Sequence, residues 1–140
     1  VEKNYIYSKA NKEKNILPLQ IDLTNPTPAI GWNNEERLSL KERRLPDTVL
    51  ALALIHHIAI SNNVPMNKIA EFFNMICNNL IIEFVPKSDS QVKKLLATRV
   101  DIFNNYNKVS FENEFKRYFN IVKEEKITGS DRILYLMRKI

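Results

Sequence analysis

The apolar residues of this chain fall into two arrangements, unbroken runs and stripes at helical spacing. Asp47-Thr48-Val49-Leu50-Ala51-Leu52-Ala53-Leu54-Ile55 is a continuous apolar run ending at His56-His57, and Leu80-Ile81-Ile82-Glu83-Phe84-Val85 is a second, stopped by Pro86. Strands covered on both faces, as in the centre of a parallel sheet, read this way. Ile16 to Leu23 reads as a shorter strand, its Pro18 tolerable near the start or at an edge. Between the two long runs, Met66, Ile69, Ala70, Phe73, Ile76 and Cys77 form one helical stripe, with Asn62 or Asn63 as cap and Pro65 near the first turn. Val92, Leu95, Leu96, Val100 and Phe103 form another behind a cap from Ser88-Asp89-Ser90. Phe111, Phe115, Tyr118 and Phe119 form a third behind a cap from Ser110.

Asn120 to Thr128 alternates in part, Gly129-Ser130-Asp131 is a turn, and Arg132 to Met137 is a final strand. The tight turn predicts an antiparallel pair. At the other end, Tyr5 to Asn15 reads as the end of a polar helix. Thr24-Asn25-Pro26-Thr27-Pro28 is a loop that runs on through Gly31-Trp32-Asn33-Asn34. Glu35 to Arg44 is a short, partly exposed helix or an ordered loop. The order strand, strand, helix, strand, helix, helix, strand, strand predicts an α/β sheet with helices on its faces, made mixed by the closing hairpin. No repeat or linker interrupts residues 1–140, which read as a single partial domain.

Composition narrows the function classes. The longest apolar run, interrupted by His56 and His57, is too short and too polar to span a bilayer. The polar start Val1-Glu2-Lys3-Asn4 is not of the signal-peptide kind. A single cysteine, Cys77, excludes an internal disulfide and a cysteine-built zinc site, and fits a reducing, cytoplasmic setting. The net charge of +5 is spread over Lys41, Arg43, Arg44, Lys93, Lys94, Lys116 and Arg117. A solvated surface is the stronger reading, and a basic RNA-associated domain the weaker one. The two glycines, Gly31 and Gly129, form no Gly-x-Gly pair, so a glycine loop that cradles a phosphate or nucleoside must lie elsewhere. With Val1 in first place, this predicts a fragment or processed product.

The stretches Ile16-Leu17-Pro18-Leu19-Gln20-Ile21-Asp22-Leu23-Thr24-Asn25-Pro26, Asp47 to His57, and Ile82-Glu83-Phe84-Val85-Pro86-Lys87 resemble the third, fourth and fifth strands of class I S-adenosylmethionine-dependent methyltransferases. They are similar to a poorly characterised bacterial, nodulation-protein-like branch. In that family a seven-stranded sheet has its last strand inserted antiparallel to the rest. The resemblance implies the C-terminal part of a Rossmann-like methyltransferase sheet, mostly parallel with a terminal antiparallel hairpin, its first two strands missing. Those strands would carry the cofactor's glycine-rich turn and the acid for its ribose. Without them Ile16 to Leu23 has no neighbour in the sheet. It is expected to pair with a second copy, rearrange, or sit beside residues outside this sequence.

The resemblance also assigns roles. Asp22 and Leu23 would read the cofactor's adenine, against an Asx turn into the Asn25-Pro26 loop as the plain alternative. Trp32 could stack on a flat ring or anchor packing. His56 and His57, at the ligand-binding edge of the sheet, would line the cofactor's methionine end, with proton abstraction as the lesser role. Side chains adjacent on a strand point to opposite faces, so the pair alone does not form a metal site. Lys87, Asp89 and Ser90 would contact substrate, against a helix cap. Glu83 inside an apolar strand calls for a buried partner such as an arginine, or points into the pocket. Glu36, Arg37, Arg43 and Arg44 could line an acceptor site, with solvated charges as the default. The expected activity is methyl transfer from S-adenosylmethionine to an oxygen or nitrogen acceptor by the parent protein, with this fragment alone incompetent. A non-catalytic interaction module is the alternative.

Overall fold

A computed structural model describes residues 1–43 and 46–140; Arg44 and Leu45 lie outside the described residues. The chain divides into two compact units, Val1–Leu40 and Lys41–Ile140.

In the first unit, α1 spans Glu2–Ala10 and buries only Ser8. This suits a sequence polar on every side, which offers no stripe for packing. The segment from Ile16 to Leu23 forms no strand, a correction to the third strand expected there. Ile16, Leu17, Leu19 and Ile21 stay exposed, Leu17 at 73%. A strand needs a partner ladder for its backbone groups, and among the described residues this segment meets none. Further on, Ile30 and Arg37 pair in a short antiparallel bridge around a 3-10 turn, Trp32–Asn34. Gly31 opens that turn at φ +95°, where a Cβ would meet Glu36 Cβ at 2.4 Å. Glycine is therefore required twice over, by conformation and by space.

The second unit holds one sheet. Its strands are β1 (Thr48–Ala51), β2 (Asn79–Phe84), β3 (Phe119–Lys126) and β4 (Ile133–Lys139), in the spatial order β1-β2-β4-β3. β1 runs parallel to β2; β4 runs antiparallel to both β2 and β3. One parallel pairing out of three overturns the expectation of a mostly parallel Rossmann-like sheet. The cause is twofold. Ile16 to Leu23 contributes no strand, and β4, the antiparallel strand, lies between β2 and β3 and so takes part in two of the three pairings.

The long run from Asp47 to Ile55 is also not one strand. β1 stops at Ala51, Ala53 turns to φ +49°, and Ile55 begins a helical turn that continues as a π-helical turn over His57–Ser61. β3 carries Lys123, Glu124, Glu125 and Lys126 on an edge, which blocks pairing with other chains.

Three helices join these strands. α2 (Met66–Ile76) buries the predicted stripe of Met66, Ile69, Ala70 and Phe73. Its N-cap is Pro65 rather than an asparagine. α3 (Ser90–Leu96) is capped by Asp89, whose carboxylate accepts from the Gln91 amide at 2.8 Å. α3 ends before Val100, which is 80% exposed and outside the stripe expected for it. α4 (Lys108–Phe115) is capped by Asn107, not Ser110. Among the described residues, no helix is long and apolar enough to cross a membrane.

The core is aromatic. Phe111 lies 4.6 Å from Phe115 and 5.1 Å from both Phe84 and Tyr135, measured between ring centroids. Each ring is essentially buried, worth about 2–3 kcal/mol apiece relative to exposure. The Tyr135 hydroxyl donates to Glu112 at 2.9 Å, so its polar tip is satisfied at the end of this stack.

Candidate functional site

The C-terminal ends of the parallel pair β1 and β2 gather the chain's most constrained polar groups. Ligands of open α/β sheets bind at such ends. Glu83 is the next-to-last residue of β2 and faces Leu134 of β4 in the register. Its side chain is only 8% exposed and is held from two sides. One oxygen accepts the Ala53 amide at 2.7 Å, and the other accepts from the Arg132 guanidinium at 3.1 Å. Glu83 thereby ties down the left-handed turn that follows β1.

Arg132 stands just before β4 and bridges onward. Its Nε donates to Asp89 at 2.7 Å and a terminal nitrogen donates to the other Asp89 oxygen at 3.3 Å. A planar guanidinium suits this fork between two carboxylates. Asp89 also caps α3, so one guanidinium links β2, β4 and a helix N-terminus. The guanidinium beside Asp89 holds its carboxyl below the usual range, and burial opposes that only in part. The Ser88 hydroxyl donates to Asp131 at 2.9 Å, joining the β3–β4 turn to the same end of the sheet.

His56 completes the cluster. It is buried, 1% exposed, in the helical turn after Ala53. Burial first, then the neighbouring His57 and the Arg132 charge, together lower its pKa to about 4 against the opposing pull of Asp89 and Glu83. The imidazole is therefore neutral across the physiological range. Its Nδ1 is buried with no hydrogen-bond partner among the described residues. Such an atom costs about 1–3 kcal/mol when nothing meets it, so a water or a ligand group is its natural partner.

The expected strand position of the two histidines is corrected by the same turn. Helical geometry sets the rings side by side, with centroids 4.2 Å apart and planes tilted by 38°, and His57 is exposed. Among the described residues, no group of three or more histidine, cysteine, aspartate or glutamate side chains could hold a metal ion.

The other anticipated residues sit as follows. Asp22, in the first unit, accepts from the Thr24 hydroxyl at 2.7 Å and the Thr24 amide at 2.9 Å, an Asx turn that keeps its carboxyl below the usual range. Leu23 is half-buried, and Trp32 is 86% exposed. In the second unit, Lys87 forms an ion pair with Asp101 at 2.7 Å, and Ser90 is exposed at the start of α3. The structure brings together His56, His57 and Asp89. To these it adds Glu83, whose place in an apolar strand calls for a partner, and Arg132, which no local pattern in the sequence marks. The signal for Arg132 was present only as the cation beside the Gly129-Ser130-Asp131 turn.

No protein-family model matches the chain, and no solved structure matches it significantly. Among curated proteins, the chain is 41% identical over 126 residues to nodulation protein NoeA of Rhizobium meliloti (strain 1021). That alignment covers 90% of this chain and 26% of NoeA, so the chain spans about a quarter of the length of the curated relative it matches.

Proposed function

We propose that a longer protein containing this chain transfers a methyl group from S-adenosylmethionine to an oxygen or nitrogen acceptor, with the His56 cluster forming one wall of the site. The observation that carries the reading is the buried, partnerless Nδ1 of His56 at the C-terminal end of β1. A neutral imidazole with a pKa near 4 is a weak base at neutral pH, so its role is to accept a hydrogen bond and orient a ligand. The ammonium of a methionine moiety is a donor of the matching kind. The last strand, β4, lies antiparallel between β2 and β3, an insertion that the resemblance implied, although the sheet as a whole is not the one expected.

The residues present fit this cofactor at one end only. Asp22 is engaged by Thr24, and neither glycine follows a strand of the parallel pair. S-adenosylmethionine, when bound, supplies an electrophilic methyl group on sulfonium. This chain's share is alignment, through the rigid frame of Glu83, Arg132 and Asp89 behind His56. Lys87 and Ser90 remain candidates for acceptor contact, whereas both Asp89 oxygens are taken by Arg132 and the α3 cap, and the buried Cys77 supports a reducing, cytoplasmic compartment.

Isothermal titration with S-adenosylmethionine tests the proposal. A chain extended at its N-terminus is expected to bind one equivalent at micromolar affinity, and the 140-residue chain at least about 100-fold more weakly, the equivalent of roughly 2.7 kcal/mol. Absence of binding by the extended chain would overturn the cofactor assignment.

A second reading is favoured by the exposed apolar side chains of Ile16, Leu17, Leu19 and Ile21. On it, this segment is a contact surface of a non-catalytic module, and self-association follows. Sedimentation velocity over a hundredfold concentration range should then show a reversible dimer that Leu17→Asp abolishes. A strict monomer throughout would remove the idea.

A further inference from the structure

A cleft of about 680 Å³ opens between the start of α2, the loop joining α3 to α4, and the first turns of α4. It includes none of His56, Glu83, Asp89 or Arg132. Its volume lies within the usual range for small-molecule sites. Five of its fourteen lining residues are asparagines, Asn63, Asn67, Asn104, Asn105 and Asn113, a share well above the 17 in 140 of the whole chain. Each carboxamide offers two donors and a carbonyl acceptor without a charge.

The side chains of Asn67, Asn105 and Asn113 are exposed and make no hydrogen bond among the described residues. Asn63 is held differently. Its Oδ1 accepts from Arg99 at 2.9 Å, and the same guanidinium donates to the Ile60 carbonyl. The Arg99 guanidinium also lies over the Phe103 ring, 5.1 Å from its centroid. One wall of the cleft is thereby fixed. The Tyr106 hydroxyl donates to the Val85 carbonyl at 2.7 Å, fixing another.

Charge decides what the cleft would take. Glu114 is the one charged lining residue, and its carboxylate pairs with Arg117 at 2.9 Å. Among the described lining residues there is no lysine or arginine, and the nearby Arg99 guanidinium is taken up by the Ile60 carbonyl, Asn63 and the Phe103 ring. A single, already paired carboxylate is a poor attraction for a cation. Val64, Met66, Ile102 and Phe103 contribute apolar surface beside the amides. The matching ligand is neutral, carries groups that both donate and accept, and has an apolar face. A sugar ring has this character, with hydroxyls around its rim and carbon-bound hydrogens on its faces.

We propose that this cleft binds a neutral saccharide. The proposal is independent of methyl transfer and stands or falls separately. The test is an NMR titration of the 140-residue chain, following side-chain amide resonances. The probes are methyl β-D-glucopyranoside, N-acetylglucosamine and cellobiose, with glucose 6-phosphate and adenosine as charged and aromatic comparators. The expected result is saturable shifts of the Asn67, Asn105 and Asn113 amides, with millimolar affinity for at least one neutral sugar.

Asn67→Ala and Asn113→Ala should each weaken that binding about fivefold, the loss of one ordinary hydrogen bond. Both positions are exposed, so the backbone spectrum elsewhere should be unchanged. Three results would overturn the proposal. They are absence of saturable shifts for all three sugars at tens of millimolar, tighter binding of glucose 6-phosphate or adenosine than of any neutral sugar, and undiminished affinity in both asparagine variants.

Discussion

Arg132→Met is expected to destabilise the Lys41–Ile140 unit by about 2–4 kcal/mol, with a fall in Tm of roughly 10–20 °C. Methionine keeps much of the aliphatic bulk and removes the guanidinium. Two carboxylates then lose their shared partner, and both are largely out of solvent, with Glu83 8% and Asp89 12% exposed. Removing one member of a buried ionic network costs more than the network contributed, because the remaining charge is left without compensation. Asp89 retains its bond from the Gln91 amide and Glu83 its bond from Ala53, which keeps the estimate below the upper end of such losses.

Coupling separates this mechanism from simple loss of packing. In a Glu83→Gln background the same Arg132→Met change should cost at least about 1 kcal/mol less, since one of the two uncompensated charges is gone and only Asp89 remains. Urea denaturation of the four proteins checks both numbers. A single-variant loss below about 0.5 kcal/mol, the level of an ordinary surface change, would show that the network carries no stability.

Acid should weaken the protein in a window set by His56. The unfolded imidazole titrates near 6.5 and the folded one near 4. Between those values the unfolded chain binds more protons, so falling pH favours unfolding. The contribution is fully present above pH 6.5, is lost progressively towards pH 4, and amounts to on the order of 3 kcal/mol. His56→Gln, which cannot titrate, should flatten the stability profile across this window, whatever its effect at pH 7.

The carboxylates held low by their partners, Asp89 through Arg132 and Asp101 through Lys87, lose their contributions only at lower pH. The histidine window is therefore distinct. Equal slopes between pH 6.5 and 4.5 in wild type and variant would show that the buried imidazole does not govern acid sensitivity.

These two expectations rest on residues that were unequally visible in the sequence. Glu83 announced itself, because a carboxylate in an apolar strand needs a partner and an arginine is the natural one. Which arginine was not visible, since Arg132 lies 49 residues away and no local pattern links the two. His56 was placed at the right edge of the sheet but in the wrong local structure. The run from Asp47 to Ile55 is apolar without interruption, and periodicity alone does not separate a long buried strand from a short strand that turns into a helix. The neutral state and open Nδ1 of His56 follow from burial in three dimensions. Of the cleft asparagines only Asn63 stands out in the sequence, and as a helix cap, because Asn63, Asn67, Asn105 and Asn113 belong to separate elements and converge only in the folded unit.

By itself, the sequence determined the features set by near neighbours. These are the buried stripe of α2, the core strand β2, the tight β3–β4 hairpin, the Asp89 cap, and the lack of a glycine loop among residues 1–140. Each depends on side-chain period, a capping group or a turn residue within a few positions. Tertiary structure alone decided which strands lie side by side. It left Ile16 to Leu23 without a ladder among the described residues and gave Glu83 its arginine. The pattern of a strand says which faces it can bury, whereas its backbone edges accept any neighbour the whole chain can bring to them, and that choice is made by the packing of the entire unit.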